Sequence, residues 1–207
     1  MASAIIHLAI AKELKDKLDI DNLKDYYLGS IAPDISKQIG EDRDISHFSK
    51  NMKDGIPNID LFVKRYPTFK YNSFDLGYFI HLYTDKIWEE EVLNRIRTEN
   101  CVKLLDGTIL NLKEDEILNI IYSDYTNLNP QVIDEYDLDL SLFYEEFQKP
   151  DTTLREIPID KLDILINKMG IIIENSKKEK AYTFDMYIVK EYVEKITKEI
   201  LKEIEKY

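Results

Sequence analysis

The sequence is poor in cysteine, histidine and long apolar runs. Its only cysteine cannot form an internal disulfide, and no catalytic-cysteine pattern surrounds it, which suits a reducing compartment. No run approaches the roughly 18 apolar residues of a membrane span. The apolar segment 4–11 has no basic residues before it and runs directly into charged residues, unlike a signal peptide. These absences predict a cytoplasmic protein without a transmembrane segment.

Positive charge is also scarce, since 28 lysine and arginine residues face 40 aspartate and glutamate residues, for a net charge of −12. Such a field repels polyanions and disfavours a nucleic-acid partner. No internal repeat, low-complexity tract or linker divides the chain, so we expect residues 1–207 to form a single domain. A homodimer remains open on base rates alone, because no sustained heptad is present.

Apolar residues recur mostly with helical spacing, which predicts an all-α, compact multi-helix bundle with at most one minor hairpin. Residues 29–47 are expected to be irregular because glycine and proline interrupt them. Asp106-Gly107 is a turn signal for a hairpin between 102–105 and 108–112. The expected helices cover 3–18, 21–28, 57–66, 74–97, 113–122, 130–136, 160–174 and 184–206.

The three histidines are the most informative residues. His7 lies on the apolar first helix, where small neighbours such as Ala4 and Ala11 leave room for a metal or a second ligand. For this histidine alone, a core side chain bonded to a backbone carbonyl is the stronger interpretation.

His81 and Asp85 are four residues apart, so both side chains leave the same face of a helix and can chelate one ion. Gly77, one turn earlier on this face, permits the close approach of another helix. A simple ion pair or hydrogen bond between the two residues is the common alternative.

Asp34 and His47 lie in the segment expected to be irregular. Asp34 follows Pro33, where an aspartate also serves to end a turn or cap a helix. His47 precedes Phe48, which would anchor the segment in the core and direct the ring. A partly exposed loop histidine is the alternative.

Four motifs in this order resemble those of the bacterial zinc-dependent phospholipase C family, which is related to the S1/P1-type nucleases. They are the early helical histidine His7, a Leu-Gly-x-x-x-Pro-Asp segment, Ser-His-Phe, and Gly-Tyr-Phe-Ile-His-Leu-Tyr-Thr-Asp. The resemblance covers roughly the first 95 residues and implies an all-helical hydrolase with one to three clustered zinc ions.

The resemblance assigns Asp34, His47, His81 and Asp85 to one zinc ion, with Asp85 as a bridging carboxylate and His7 as ligand of a neighbouring ion. It implies hydrolysis of a phosphodiester or phosphomonoester, with a phospholipid among the candidates, through a water activated by the metal. Asp34 is the candidate catalytic residue that orients this water or accepts its proton.

The resemblance also implies an incomplete second metal site, because the family has further histidines where this chain has none after His81. Carboxylates could substitute there and would favour Mn²⁺, Fe²⁺ or Mg²⁺. For each candidate carboxylate, the simpler interpretation is a solvated acid or a helix cap. The alternative function is a non-catalytic metal-binding structural or interaction protein with the same fold, and a helical interaction domain without metal is a third hypothesis. The candidate carboxylates are Glu89, Glu91, Asp124 and Asp185.

Overall fold

The structure, a computed structural model, describes residues 1–50, 52, 55–141, 144–177 and 179–207. It is 61% helical, and its only sheet among these residues is a two-stranded hairpin, which confirms the predicted all-α class. The α-helices are α1 Ala4–Leu14, α2 Leu23–Gly29, α3 Ile35–Ile39, α4 Arg43–Ser46, α5 Ile59–Arg65, α6 Ser73–Trp88, α7 Asn94–Ile96, α8 Glu114–Glu135, α9 Leu162–Glu174 and α10 Met186–Ile204.

Short polar side chains begin several of these helices by accepting a hydrogen bond from a free backbone N–H of the first turn. Ser3 accepts from Ile6 at the start of α1, and Asn72 accepts from Asp75 at the start of α6. α1 ends at Leu14, earlier than the predicted residue 18. The expectation that its first turns are buried on nearly every side is confirmed.

Residues 29–47 are more regular than expected. A 3₁₀ turn over Ala32–Asp34 is followed by α3 and α4, and Gly40 ends α3 with a positive φ of 72°. The prediction that this segment is irregular was wrong, because α3 and α4 are too short to show a periodic apolar pattern.

The helix predicted over 74–97 changes its hydrogen bonding near its end. After α6 comes a π-helical turn, Glu89–Leu93, and then α7. Such turns occur often at functional sites. Glu89 is its first residue and is buried, 7% exposed, whereas the other acidic residues of this turn point outwards.

The sequence predicts two helices with a break over residues 123–129, but α8 is continuous through Pro130. Proline lacks the N–H that would bond to the carbonyl of Thr126. That carbonyl instead accepts from the backbone N–H of Lys177 at 3.2 Å. A partner distant in sequence therefore stabilises the helix at the point where local rules predict a break.

The predicted hairpin is confirmed. β1 (Cys101–Lys103) pairs antiparallel with β2 (Ile109–Asn111), with Val102 opposite Leu110. Gly107 adopts a positive φ of 87° in the turn, a conformation in which glycine carries no steric penalty.

α2 and α6 pack together at two glycines. A Cβ at Gly77 would lie 2.1 Å from the carbonyl oxygen of Tyr26, and one at Gly29 would lie 2.1 Å from that of Phe74. The close approach expected at Gly77 is therefore confirmed, and it holds α2 against the helix that carries His81.

We expect Gly77→Ala to lower the free energy of unfolding by about 2–3 kcal/mol, because the added methyl group meets backbone atoms that cannot rotate away. Chemical denaturation measures this. Gly170→Ala in α9 is the matched control, since nothing lies within 4 Å of its Cβ. It should be neutral or stabilising by up to about 1 kcal/mol. Equal stability of both variants would contradict the close packing of α2 on α6.

The buried hydrophobic residues form one cluster to which α1, α2, α6, α8 and α10 all contribute. Aromatic rings fill much of it, including Trp88, Phe62 and Phe79. The single-domain organisation stays a prediction. Among the described residues, no helix combines the length and the apolar character needed to cross a membrane.

Candidate metal centre

Four separate elements bring the predicted ligands together. His7 comes from α1, Asp34 ends the 3₁₀ turn before α3, His47 directly follows α4, and His81 with Asp85 lies on α6. The three histidines and Asp85 are at most 1% exposed. Asp34 retains 20% exposure of its side chain. The convergence on which the sequence interpretation depends is therefore present.

His47, His81 and Asp85 form a compact triangle of potential ligand atoms. Nε2 of His47 lies 3.2 Å from Nε2 of His81, and these atoms lie 3.4 and 3.6 Å from Oδ2 of Asp85. Neighbouring ligands of tetrahedral zinc, with bonds of about 2.0–2.1 Å, are separated by about 3.3–3.4 Å. The triangle thus has the size of one face of a zinc coordination shell.

Hydrogen bonds at the other ring nitrogens orient the rings of His47 and His81. Nδ1 of His81 lies 2.8 Å from the carbonyl oxygen of Ser30, which can only accept, so this nitrogen carries the proton. Nδ1 of His47 lies 2.8 Å from Oγ of Ser46, whose hydroxyl donates to the carbonyl of Arg43 at 3.1 Å. Nε2 of His81 is therefore unprotonated, and it faces Nε2 of His47 across 3.2 Å, a separation that suits two ligands of one cation.

His7 completes the cluster from the opposite side. Its ring stacks on His81 with centroids 3.9 Å apart, and its Nε2 lies 3.2 Å from Oδ1 of Asp85. Neither of its ring nitrogens makes a hydrogen bond among the described residues, although both are buried. His7 is therefore not a core histidine bonded to a backbone carbonyl. Its unpaired buried ring nitrogens are energetically costly.

The electrostatics favour neutral imidazoles beside an ionised carboxylate. Burial lowers the pKa of His47, and it lowers that of His81 well below the ordinary range, with a further contribution from His7. Burial alone would raise the pKa of Asp85, but the polar and charged groups around it, led by His47 and His7, hold it well below its usual value. Neutral imidazole and ionised carboxylate are the forms that bind metal.

Asp34 lies on the solvent side of this cluster. Its Oδ1 is 4.0 Å from Nε2 of His47, and it occupies the N-cap position of α3 without making a capping hydrogen bond. Burial and the charge of Asp85 raise its pKa above the ordinary value. It can thus contribute an oxygen to a cation and still contact solvent. Two overlapping groups of close ligand atoms result: His47 with His81 and Asp85, and His7 with Asp34 and His81.

Of the four substitute carboxylates, only Glu89 adjoins the cluster, one turn beyond Asp85. Glu91 pairs with Lys195 on the surface. Asp124 accepts backbone and hydroxyl hydrogen bonds from Thr183, and Asp185 caps the start of α10. These three carboxylates therefore make structural contacts away from the cluster, and Glu89 is the candidate that stays beside it.

No sequence pattern predicted the two arginines that lie near the site. Nη2 of Arg43 donates to Oδ2 of Asp85 at 3.1 Å, and Nη2 of Arg97 donates to Oε1 of Glu89 at 2.5 Å. The position of Arg43, four residues before His47, could have indicated that both side chains leave one face of a short helix.

A cleft of about 230 Å³ opens beside Asp85. The histidine rings do not line it, so the cluster meets the cleft through Asp85 and Arg43. Its polar lining consists of Arg43, Asp85, Glu89, Arg97, Tyr122 and Tyr125.

The fold and the site together define a class: an all-helical protein with a buried histidine–aspartate cluster suited to a divalent cation. The model of one protein family, zinc dependent phospholipase C, matches residues 6–88. This match supports the predicted resemblance for the N-terminal part of the chain, and the three histidines, Asp34 and Asp85 all lie within it. Neither a curated protein nor a solved structure shows significant similarity to the chain.

Proposed function

We propose that this protein is a metal-dependent hydrolase of a phosphoester. One observation carries the proposal: the Nε2 atoms of two histidines and a carboxylate oxygen lie 3.2–3.6 Å apart in a buried site, at the spacing of ligands around one cation. The family match supports the reaction class, since a phospholipase C cleaves a phosphodiester. A phosphodiester, a phosphomonoester or a phospholipid headgroup is the proposed substrate.

In this proposal His47, His81, Asp85 and Asp34 hold one cation, and His7 contributes from the side of Asp85 Oδ1. Zn²⁺ suits this mixture of imidazole and carboxylate ligands. A divalent cation there would neutralise charge on phosphoryl oxygens and lower the pKa of a water, which becomes the nucleophile.

The carbonyl of Ser30 and the hydroxyl of Ser46 orient the ligand rings, since each lies 2.8 Å from Nδ1 of one histidine and so directs its Nε2 inward. Asp34 is the proposed catalytic residue. Its position between the cluster and solvent allows it to orient a water or accept its proton.

A non-catalytic metal-binding protein is the second candidate function. The complete burial of the three histidine rings favours it, because structural metal sites are closed whereas catalytic sites keep an open position. The cytoplasmic location and the exclusion of nucleic-acid partners stay predictions.

Metal content and turnover, measured together, separate the two functions. Protein purified without an affinity tag is analysed for metals, stripped with a chelator, and reloaded in turn with Zn²⁺, Mn²⁺, Fe²⁺ and Mg²⁺. We expect hydrolysis of a chromogenic phosphodiester with at least one metal and none after chelation. Bound metal without turnover under any of these conditions would support the structural role instead.

A further inference from the structure

We infer that Arg43 and Arg97 bind the phosphoryl oxygens of the substrate, and that their guanidinium groups take the place of additional metal ions beside Asp85. This inference rests on the proposed phosphoesterase function. It assigns the cleft to an anionic group and leaves no place there for a further cation.

Arg43 is fixed in the wall of the cleft by three contacts. Its Nη2 donates to Oδ2 of Asp85 at 3.1 Å, its Nη1 donates to the carbonyl of Gly55 at 2.8 Å, and its Nε faces Sδ of Met1. Its side chain is 26% exposed. A guanidinium group has five N–H donors, so one N–H on each Nη atom remains for a ligand.

Arg97 lies on the same cleft beside Glu89. Its Nη2 donates to Oε1 of Glu89 at 2.5 Å, and its side chain is 22% exposed, against 9% for that of Glu89. Glu89 is one turn beyond Asp85, so each of the two carboxylates that line the cleft already holds a guanidinium group. A further metal ion on this side of the centre would have to displace both arginines.

Charge and size favour a phosphoryl group as the occupant. The two arginines balance the charges of Asp85 and Glu89, so a bound divalent cation leaves this side of the centre attractive to an anion. Guanidinium groups match phosphate oxygens in a bidentate geometry. The cleft volume of about 230 Å³ suits a phosphate with a small substituent. It is below the roughly 300–1,000 Å³ of sites for larger ligands.

Calorimetry on the zinc-loaded protein tests this inference with two probes, inorganic phosphate and a short-chain phospholipid below its micelle concentration. We expect Arg43→Gln and Arg97→Gln each to weaken binding about 10–100-fold, because each removes a charged hydrogen bond. If the binding of both probes depends on the arginines, the ligand is a headgroup phosphate. If only the binding of inorganic phosphate depends on them, the ligand is a free or monoester phosphate.

Arg95→Gln is the matched control, because Arg95 is exposed, lies two residues from Arg97 and does not line the cleft. It should leave phosphate affinity unchanged. If Arg43→Gln loses the metal or fails to fold, Arg97→Gln decides the matter, since Arg97 contacts Glu89 rather than Asp85. Unchanged phosphate affinity in Arg97→Gln overturns the inference while the hydrolase proposal stands. A chain that takes up no metal overturns both.

Discussion

Replacement of His81 with alanine is expected to abolish phosphodiester hydrolysis and to weaken zinc binding by more than about 100-fold. His81 is the residue shared by both groups of close ligand atoms, so its loss damages every arrangement in which these residues could hold a cation. Loss of a residue that only supports a metal ligand costs about 10–100-fold in affinity, and loss of a ligand should cost more. Competition with a chromogenic chelator measures the affinity.

The control for this variant is Leu82→Ala. Leu82 is adjacent on α6 and equally buried, so its truncation also leaves a cavity, with an expected cost of about 2–5 kcal/mol in unfolding free energy. It should nevertheless retain zinc. Equal loss of zinc from both variants would attribute the effect to damaged packing, and retention of zinc by His81→Ala would remove the histidine from the ligand set.

Asp34→Asn is expected to lower kcat by about 10²–10⁴-fold while zinc stays bound. The triangle of His47, His81 and Asp85 remains intact in this variant, so a cation keeps its principal ligands. An asparagine amide cannot accept a proton as a carboxylate does. Steady-state kinetics of the zinc-loaded variant, with its metal content determined on the same sample, gives both quantities.

Asp60→Asn is the matched control. It makes the same change of charge as Asp34→Asn, but Asp60 is exposed on α5 and is not part of the cluster. It should leave kcat unchanged. If Asp34→Asn retains both zinc and full activity, Asp34 is not the catalytic residue. If it loses its zinc, Asp34 is primarily a ligand.

Local rules predicted well the parts of the site that depend on a single helix. The spacing of His81 and Asp85 placed them on one helix face, and Gly77 on the same face predicted the close packing of α2. Both follow from helical periodicity, which needs no knowledge of the rest of the chain.

The convergence of the remaining ligands could not be derived in this way. His7, Asp34 and His47 belong to three other segments, and taken singly each had a more ordinary interpretation. Only their order along the chain, through the resemblance to a known family, indicated that they meet. Tertiary contacts also kept α8 continuous, since the partner that stabilises the carbonyl freed by Pro130 comes from Lys177.

The surroundings of the centre contain two arginines that residue counting could not anticipate. The lack of histidine after His81 predicted an incomplete second site, and acidic residues were the expected substitutes. The structure instead brings Arg43 and Arg97 to the carboxylates there. The guanidinium groups of these arginines supply positive charge where a second metal ion was expected.

The most direct test of the central claim is X-ray absorption at the zinc edge of the zinc-loaded protein. The arrangement of His47, His81 and Asp85 predicts a first shell of nitrogen and oxygen atoms at about 2.0–2.1 Å with the multiple-scattering pattern of at least two imidazole rings. A first shell of oxygen atoms without imidazole scattering would contradict it, because the zinc would then be bound away from the histidine cluster.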